Sequence, residues 1–163
     1  MKGMVIKMKY RLKITDEENK KEINVSEDEI IEVKYKIGLA EDTSLANSRS
    51  TVEMEITGKI ISNLENTGSN LETENKSIND DLYEKNKKNI IDLVEWAESY
   101  LQKSDYRNLE MFVDLGSNKK MDLKFTNMFV YNFSQEMSIE KGIGIFKLKL
   151  RQKFHQKNKL EIL

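Results

Sequence analysis

The chain has 163 residues, within the roughly 100–200 that a single domain usually takes. Its 27 Lys and Arg against 28 Asp and Glu leave a formal net charge of −1, which excludes a globally basic nucleic-acid binder but leaves room for a local cationic face. The absence of cysteine excludes a disulfide framework, a thiolate zinc site, an iron–sulfur cluster and a cysteine nucleophile, and His155 as the single histidine excludes a two-histidine metal site.

From the amino terminus, charged and apolar residues alternate through Lys9, with no uninterrupted apolar stretch of the kind a signal peptide carries. No run approaches the roughly 20 apolar residues that cross a bilayer, so neither a leader nor membrane insertion is expected. Met4, Ile6, Met8, Tyr10, Leu12 and Ile14 share one parity, and Lys7, Lys9, Arg11 and Lys13 the other. That period-two pattern predicts a strand with an apolar face and a cationic face. The acidic stretch Asp16 to Glu29 reads as a turn or loop. Alternation resumes with Ile31, Val33, Tyr35 and Ile37, and a third strand is predicted over Thr51 to Ile61, where Gly58 interrupts the apolar parity at a bulge or a close backbone approach.

Residues 62–89 are dominated by Asn, Glu, Ser, Asp and Lys and read as a long polar surface excursion, with a weak helical turn over 80–88. Helical spacing of Ile90, Val94, Ala97 and Leu101 predicts one helix from Ile90 to Gln102, with Asn89 as its N-cap and Trp96 beside the apolar stripe. Strands return with Leu109, Met111, Val113 and Leu115, a hairpin turn at Gly116-Ser117-Asn118-Lys119, a partner strand through Met121, Leu123 and Phe125, and the apolar run Met128 to Phe133. A strand with Phe146, Leu148 and Leu150 opposed to Lys147, Lys149, Arg151 and Lys153 follows, then a short apolar tail. The expected fold is mainly β (α+β): a single domain over 1–163, an antiparallel β-barrel of about seven or eight strands with one packed helix. Without proline to guard a strand edge, closure of the barrel or pairing with neighbouring subunits has to satisfy the edges.

No constellation for catalysis emerges. His155 has no G-x-S-x-G elbow to serve and reads as a solvated end-of-strand residue. Gly142 and Gly144 lack the third glycine and helix of a dinucleotide site. The adjacent carboxylates Glu17/Glu18 and Asp80/Asp81 lie in polar stretches, unlike the converging pair of a glycosidase, and no alternate-position calcium loop is present. No catalytic, cofactor-binding or metal site is therefore expected. The feature that stands out is charge. If the first and last long strands lie side by side, Lys7, Lys9, Arg11, Lys13, Lys147, Lys149, Arg151 and Lys153 form a cationic face. Either that face is solvated or it meets an acidic surface of a neighbour, such as another copy's acidic loop. The aromatics fall mainly on the apolar parity or in the apolar run and the cationic parity has none, which argues against a base-stacking platform and against nucleic acid.

Leu93-Val94-Glu95-Trp96-Ala97 on the helix, Tyr106-Arg107-Asn108-Leu109-Glu110-Met111, Phe125 to Ser134 and Gly144-Ile145-Phe146-Lys147-Leu148-Lys149-Leu150 follow one another in an order that resembles the tail-tube superfamily. That superfamily comprises the haemolysin-coregulated protein (Hcp) of type VI secretion and the tube proteins of phage and phage-like contractile particles. The resemblance spans about Arg49 to Lys153. It implies a non-enzymatic, tube-forming structural subunit that self-assembles into stacked, hexameric rings, with sheath, baseplate or tip proteins as partners. It also implies synthesis in the cytoplasm and incorporation into a particle that can be exported or released. The alternative is a monomeric β-barrel module for an acidic ligand such as single-stranded nucleic acid.

Overall fold

The structure is a computed structural model that describes residues 8–39, 50–61, 73–99, 105–140, 143–152 and 160–162. The elements are β1 (Lys9–Asp16), β2 (Lys21–Val25), β3 (Ile30–Leu39), β4 (Ser50–Ile60), α1 (Thr73–Glu98), β5 (Arg107–Gly116), β6 (Lys119–Ser138), β7 (Ile143–Gln152) and β8 (Leu160–Ile162). All strand pairs are antiparallel, in the order β2-β1-β5-β6-β7-β4-β3, with β8 paired to β6 outside that path. The mainly β, one-helix architecture is therefore as the periodicity predicts.

The hydrogen-bonded ladder does not close into a barrel, because β2 and β3 are both terminal strands of the path. The sheet is nevertheless rolled. In a flat seven-stranded sheet the two edges would lie roughly 29 Å apart. Here the edge strands are consecutive in sequence, joined only by the turn Ser26–Glu29, whose few peptide units reach at most about 18 Å. Closure is thus made by the chain and by the core. Leu12, Ile23, Met54, Leu109, Phe125 and Leu148, from strands all around the roll, are buried in one cluster.

β6 makes the roll possible. Its first half pairs with β5 and its second half with β7, so it belongs to both walls. Asn127, in the left-handed region at φ 52°, and the register shift between Val130 and Asn132 bend it between the two. The β5–β6 hairpin has Ser117 and Asn118 at φ 51° and 62°, the paired positive values of a primed turn that matches strand twist.

Two sequence expectations are corrected. The stretch Asp16 to Glu29 contains a strand, β2, whose alternating Ile23 and Val25 are buried. The polar excursion over 62–89 is helical from Thr73 onward; residues 62–72 lie outside the described residues. Asn89 is accordingly inside α1 and not its N-cap. The buried stripe of the helix is Asn86, Asn89, Leu93 and Trp96, with correct helical spacing, but half of it is polar and so invisible to a search for apolar periodicity.

Candidate functional site

The cations that the sequence nominates as a face do not form one. Lys7 and Lys153 lie outside the described residues. β1 and β7 are not neighbours, since β5 and β6 separate them. Along β1, Lys9 sits opposite Asp114 and Lys13 opposite Glu110, and those carboxylates in turn face Lys120 and Lys124 on β6. Along β7, Arg151 and Lys149 sit opposite Glu53 and Glu55 of β4, which face Lys36 and Lys34 of β3. Lys147 lies between Thr57 and Ser134. The outer surface is thus a checkerboard of both signs, with Glu53 bridging Arg151 at 3.2 Å and Lys36 at 3.4 Å. Opposite charges on directly paired strands attract weakly and cancel each other's long-range field.

The expectation that no aromatic shares the cationic face is also corrected. The Arg11 guanidinium lies 4.6 Å from the Phe112 ring centroid, and that of Arg151 lies 4.2 Å from the Tyr131 centroid. Each ring is covered by its own arginine, so neither is an open stacking platform.

The second feature is an unfinished edge. β3 is a ten-residue terminal strand. Its Tyr35 and Ile37 pair with Met54 and Val52, both buried, and so belong to the core-facing side. Tyr35 and Ile37 are nevertheless 39% and 54% exposed, because among the described residues no further strand or helix covers that end. Tyr35 keeps one inward contact, its ring meeting Phe125 edge-on at 5.4 Å. Of the alternating residues Ile31, Val33, Tyr35 and Ile37, three are exposed and Val33 is partly buried, with Ile31 at the register shift between Ile30 and Glu32.

Two buried polar clusters lock the helix to the sheet. Glu29 accepts from Ser26 N and Oγ at 2.8 and 3.0 Å, from Asn86 Nδ2 at 3.0 Å and from Asn89 Nδ2 at 3.1 Å. Asn86 also donates to Lys59 O and accepts from Ile61 N, and Asn89 donates to Asn24 O. On the same helix Trp96 is fully buried, donates from Nε1 to Asp105 O at 2.8 Å and has the Arg107 guanidinium 5.4 Å from its ring. Arg107 reaches Asp16 Oδ2 at 3.8 Å. Burial lowers the Arg107 pKa from its ordinary value, opposed by the carboxylates of Asp16, Asp92, Glu95 and Asp105. Burial raises that of Asp105, with Arg107 pulling it back. Both clusters are enclosed and their groups are turned to one another, an arrangement that positions elements. Sequence reasoning misses them because Glu29, Asn86 and Asn89 lie in polar stretches; the Ser26-x-x-Glu29 spacing of a capping box is the one available signal. Among the described residues there is no group of side chains suited to hold a metal ion, and no helix is long and apolar enough to cross a membrane.

No protein-family model matches the chain, and no curated protein sequence matches it. Solved structures do. Hcp1 from Flavobacterium johnsoniae aligns over 94% of this chain and 94% of its own, with a TM-score of 0.51 and 14% identity. A doubly substituted Hcp1 from the E. coli EAEC 042 pathovar aligns over 95% of this chain and 97% of its own, with a TM-score of 0.54 and 10% identity. With both chains covered nearly end to end, the chain shares the fold of these Hcp1 structures.

Proposed function

We propose that the protein is a non-enzymatic structural subunit that associates with copies of itself into rings, stacked as the tube of a contractile injection or phage-tail-like particle. Sheath, baseplate or tip components would be its other partners, and the cytoplasm its site of synthesis. The observation that carries this reading is the β3 edge. A strand of that length, with an outer edge that no described strand pairs and core-facing Tyr35 and Ile37 exposed, is an aggregation hazard in a monomer and a natural interface in an assembly. The shared fold supports the same reading. The cancelling charges of the outer face tell against a monomeric module for acidic ligands, which needs a coherent cationic surface.

The test is negative-stain electron microscopy with light scattering on the wild type and on Ile37→Lys. Rings or tubes are expected for the wild type, and subunit-sized particles with an unchanged circular dichroism spectrum for the variant. A wild type that stays monomeric at high concentration, or a variant that assembles equally well, overturns the proposal.

A further inference from the structure

Helix α1 buries one stripe and turns the opposite one to water. At 3.6 residues per turn, Glu84, Lys87, Lys88, Ile91, Glu95 and Glu98 lie across the helix from the buried Asn86, Asn89, Leu93 and Trp96. All six are exposed, Ile91 by 48%. A single exposed isoleucine is ordinary on a protein surface. What sets this one apart is the frame of charge around it.

The signs along the stripe are segregated. Lys87 and Lys88 sit one turn before Ile91, Glu95 and Glu98 follow it by one and two turns, and the last turn carries no basic residue. Two carboxylates there face the negative pole of the helix dipole and repel each other at i,i+3 spacing, so in a helix on its own they are misplaced. Among the described residues none of Lys87, Lys88 and Glu98 is ion-paired. Glu95, with Asp92, acts across space on the buried Arg107. The same helical geometry puts Lys88 and Glu95 on one flank of Ile91, and Lys87 and Glu98 on the other.

We propose that this stripe is a contact with a second copy: two α1 helices cross antiparallel about a two-fold axis beside Ile91. The two Ile91 side chains touch, Lys88 faces the partner's Glu95 and Lys87 faces the partner's Glu98. The order of the charges selects this orientation. A two-fold axis across an antiparallel pair sets each flank against the same flank of the partner, end for end, so lysine meets glutamate at both ends. Parallel helices would set lysine against lysine. Glu84 stands four residues before Lys88, the spacing at which a glutamate and a lysine of one helix offset each other. Being isologous, the contact closes at two copies and extends no assembly, so it is distinct from the β3 edge and does not rest on the ring reading.

The chain has no cysteine, so one introduced thiol reports the axis. Ile91→Cys is made on the Ile37→Lys background, which removes the proposed ring contact. It is expected to give one covalent dimer band after copper-phenanthroline oxidation, and Lys85→Cys, exposed on α1 but off the stripe, none. Exposed ion pairs are individually weak and screened by salt. Sedimentation of concentrated Ile37→Lys is therefore expected to show a dimer whose dissociation constant rises about tenfold or more between about 0.05 and 0.5 M salt. Lys87→Glu/Lys88→Glu and Glu95→Lys/Glu98→Lys, each on that background, are expected to stay monomeric alone and to pair when mixed, with circular dichroism checking that both are folded. No dimer band from Ile91→Cys, or a mixture no more associated than its components, overturns this inference and leaves the ring reading standing. Absence of rings in the wild type overturns the ring reading alone.

Discussion

Asp105 Oδ1 is buried without a hydrogen-bond partner among the described residues, although Arg107 stands close enough to pull on its charge. Burial is the larger influence, so the carboxyl holds its proton more tightly when folded than when unfolded. Its stabilising contribution is complete below the ordinary value of 3.8 and is lost as pH rises through the elevated folded value. Asp105→Asn keeps the backbone oxygen that Trp96 uses. It is expected to raise the melting temperature at pH 7 and to lose that advantage on acidification to pH values below 3.8. Melting curves by circular dichroism across the range check this, and an advantage that grows on acidification would contradict it. Gly58 shows what a single position reveals and hides. The break in apolar parity marks it in the sequence as a place of close approach. What approaches is the ring of Phe146, which lies where a Cβ would be, and no local pattern in the sequence names a residue on another strand.

At the scale of elements, strands were legible wherever alternation ran for several residues, as in β1, β4, β5 and β7, because each has one buried and one solvated side. β2 was not, since its apolar residues Ile23 and Val25 are too few to stand out from a polar run. The part of α1 before Ile90 was read as no more than a weak turn for a different reason. Where it docks, Asn86 and Asn89 donate to Glu29, Lys59 O and Asn24 O, and Asn86 accepts from Ile61 N, so its docking face is written in amides. Asn86→Leu strands Ile61 N and Lys59 O without their partner and leaves Glu29 Oε1 with Asn89 alone. Its expected cost is about 2–4 kcal/mol in urea unfolding, whereas Glu84→Gln on the exposed side of the same helix is expected within about 0.5 kcal/mol of wild type. Equal midpoints for the two variants would show that the network contributes nothing.

For the whole molecule, element order and fold class could be read along the chain, but strand order could not. β1 pairs with β5 across the intervening strands and helix, and no local pattern encodes such a pairing. The supposed cationic face failed for that reason: each cationic row was real, and the rows of carboxylates that the topology sets beside them were not foreseeable. With the signs interleaved, a fluorescent single-stranded oligonucleotide is expected to show no saturable binding near 0.15 M salt, where screening reaches about 8 Å. Saturable anisotropy with a steep salt dependence would revive the binding module. The turn between β2 and β3 is the seam of the rolled sheet, and Glu29 in that turn is held by Asn86 and Asn89 of α1, so helix and seam come undone together.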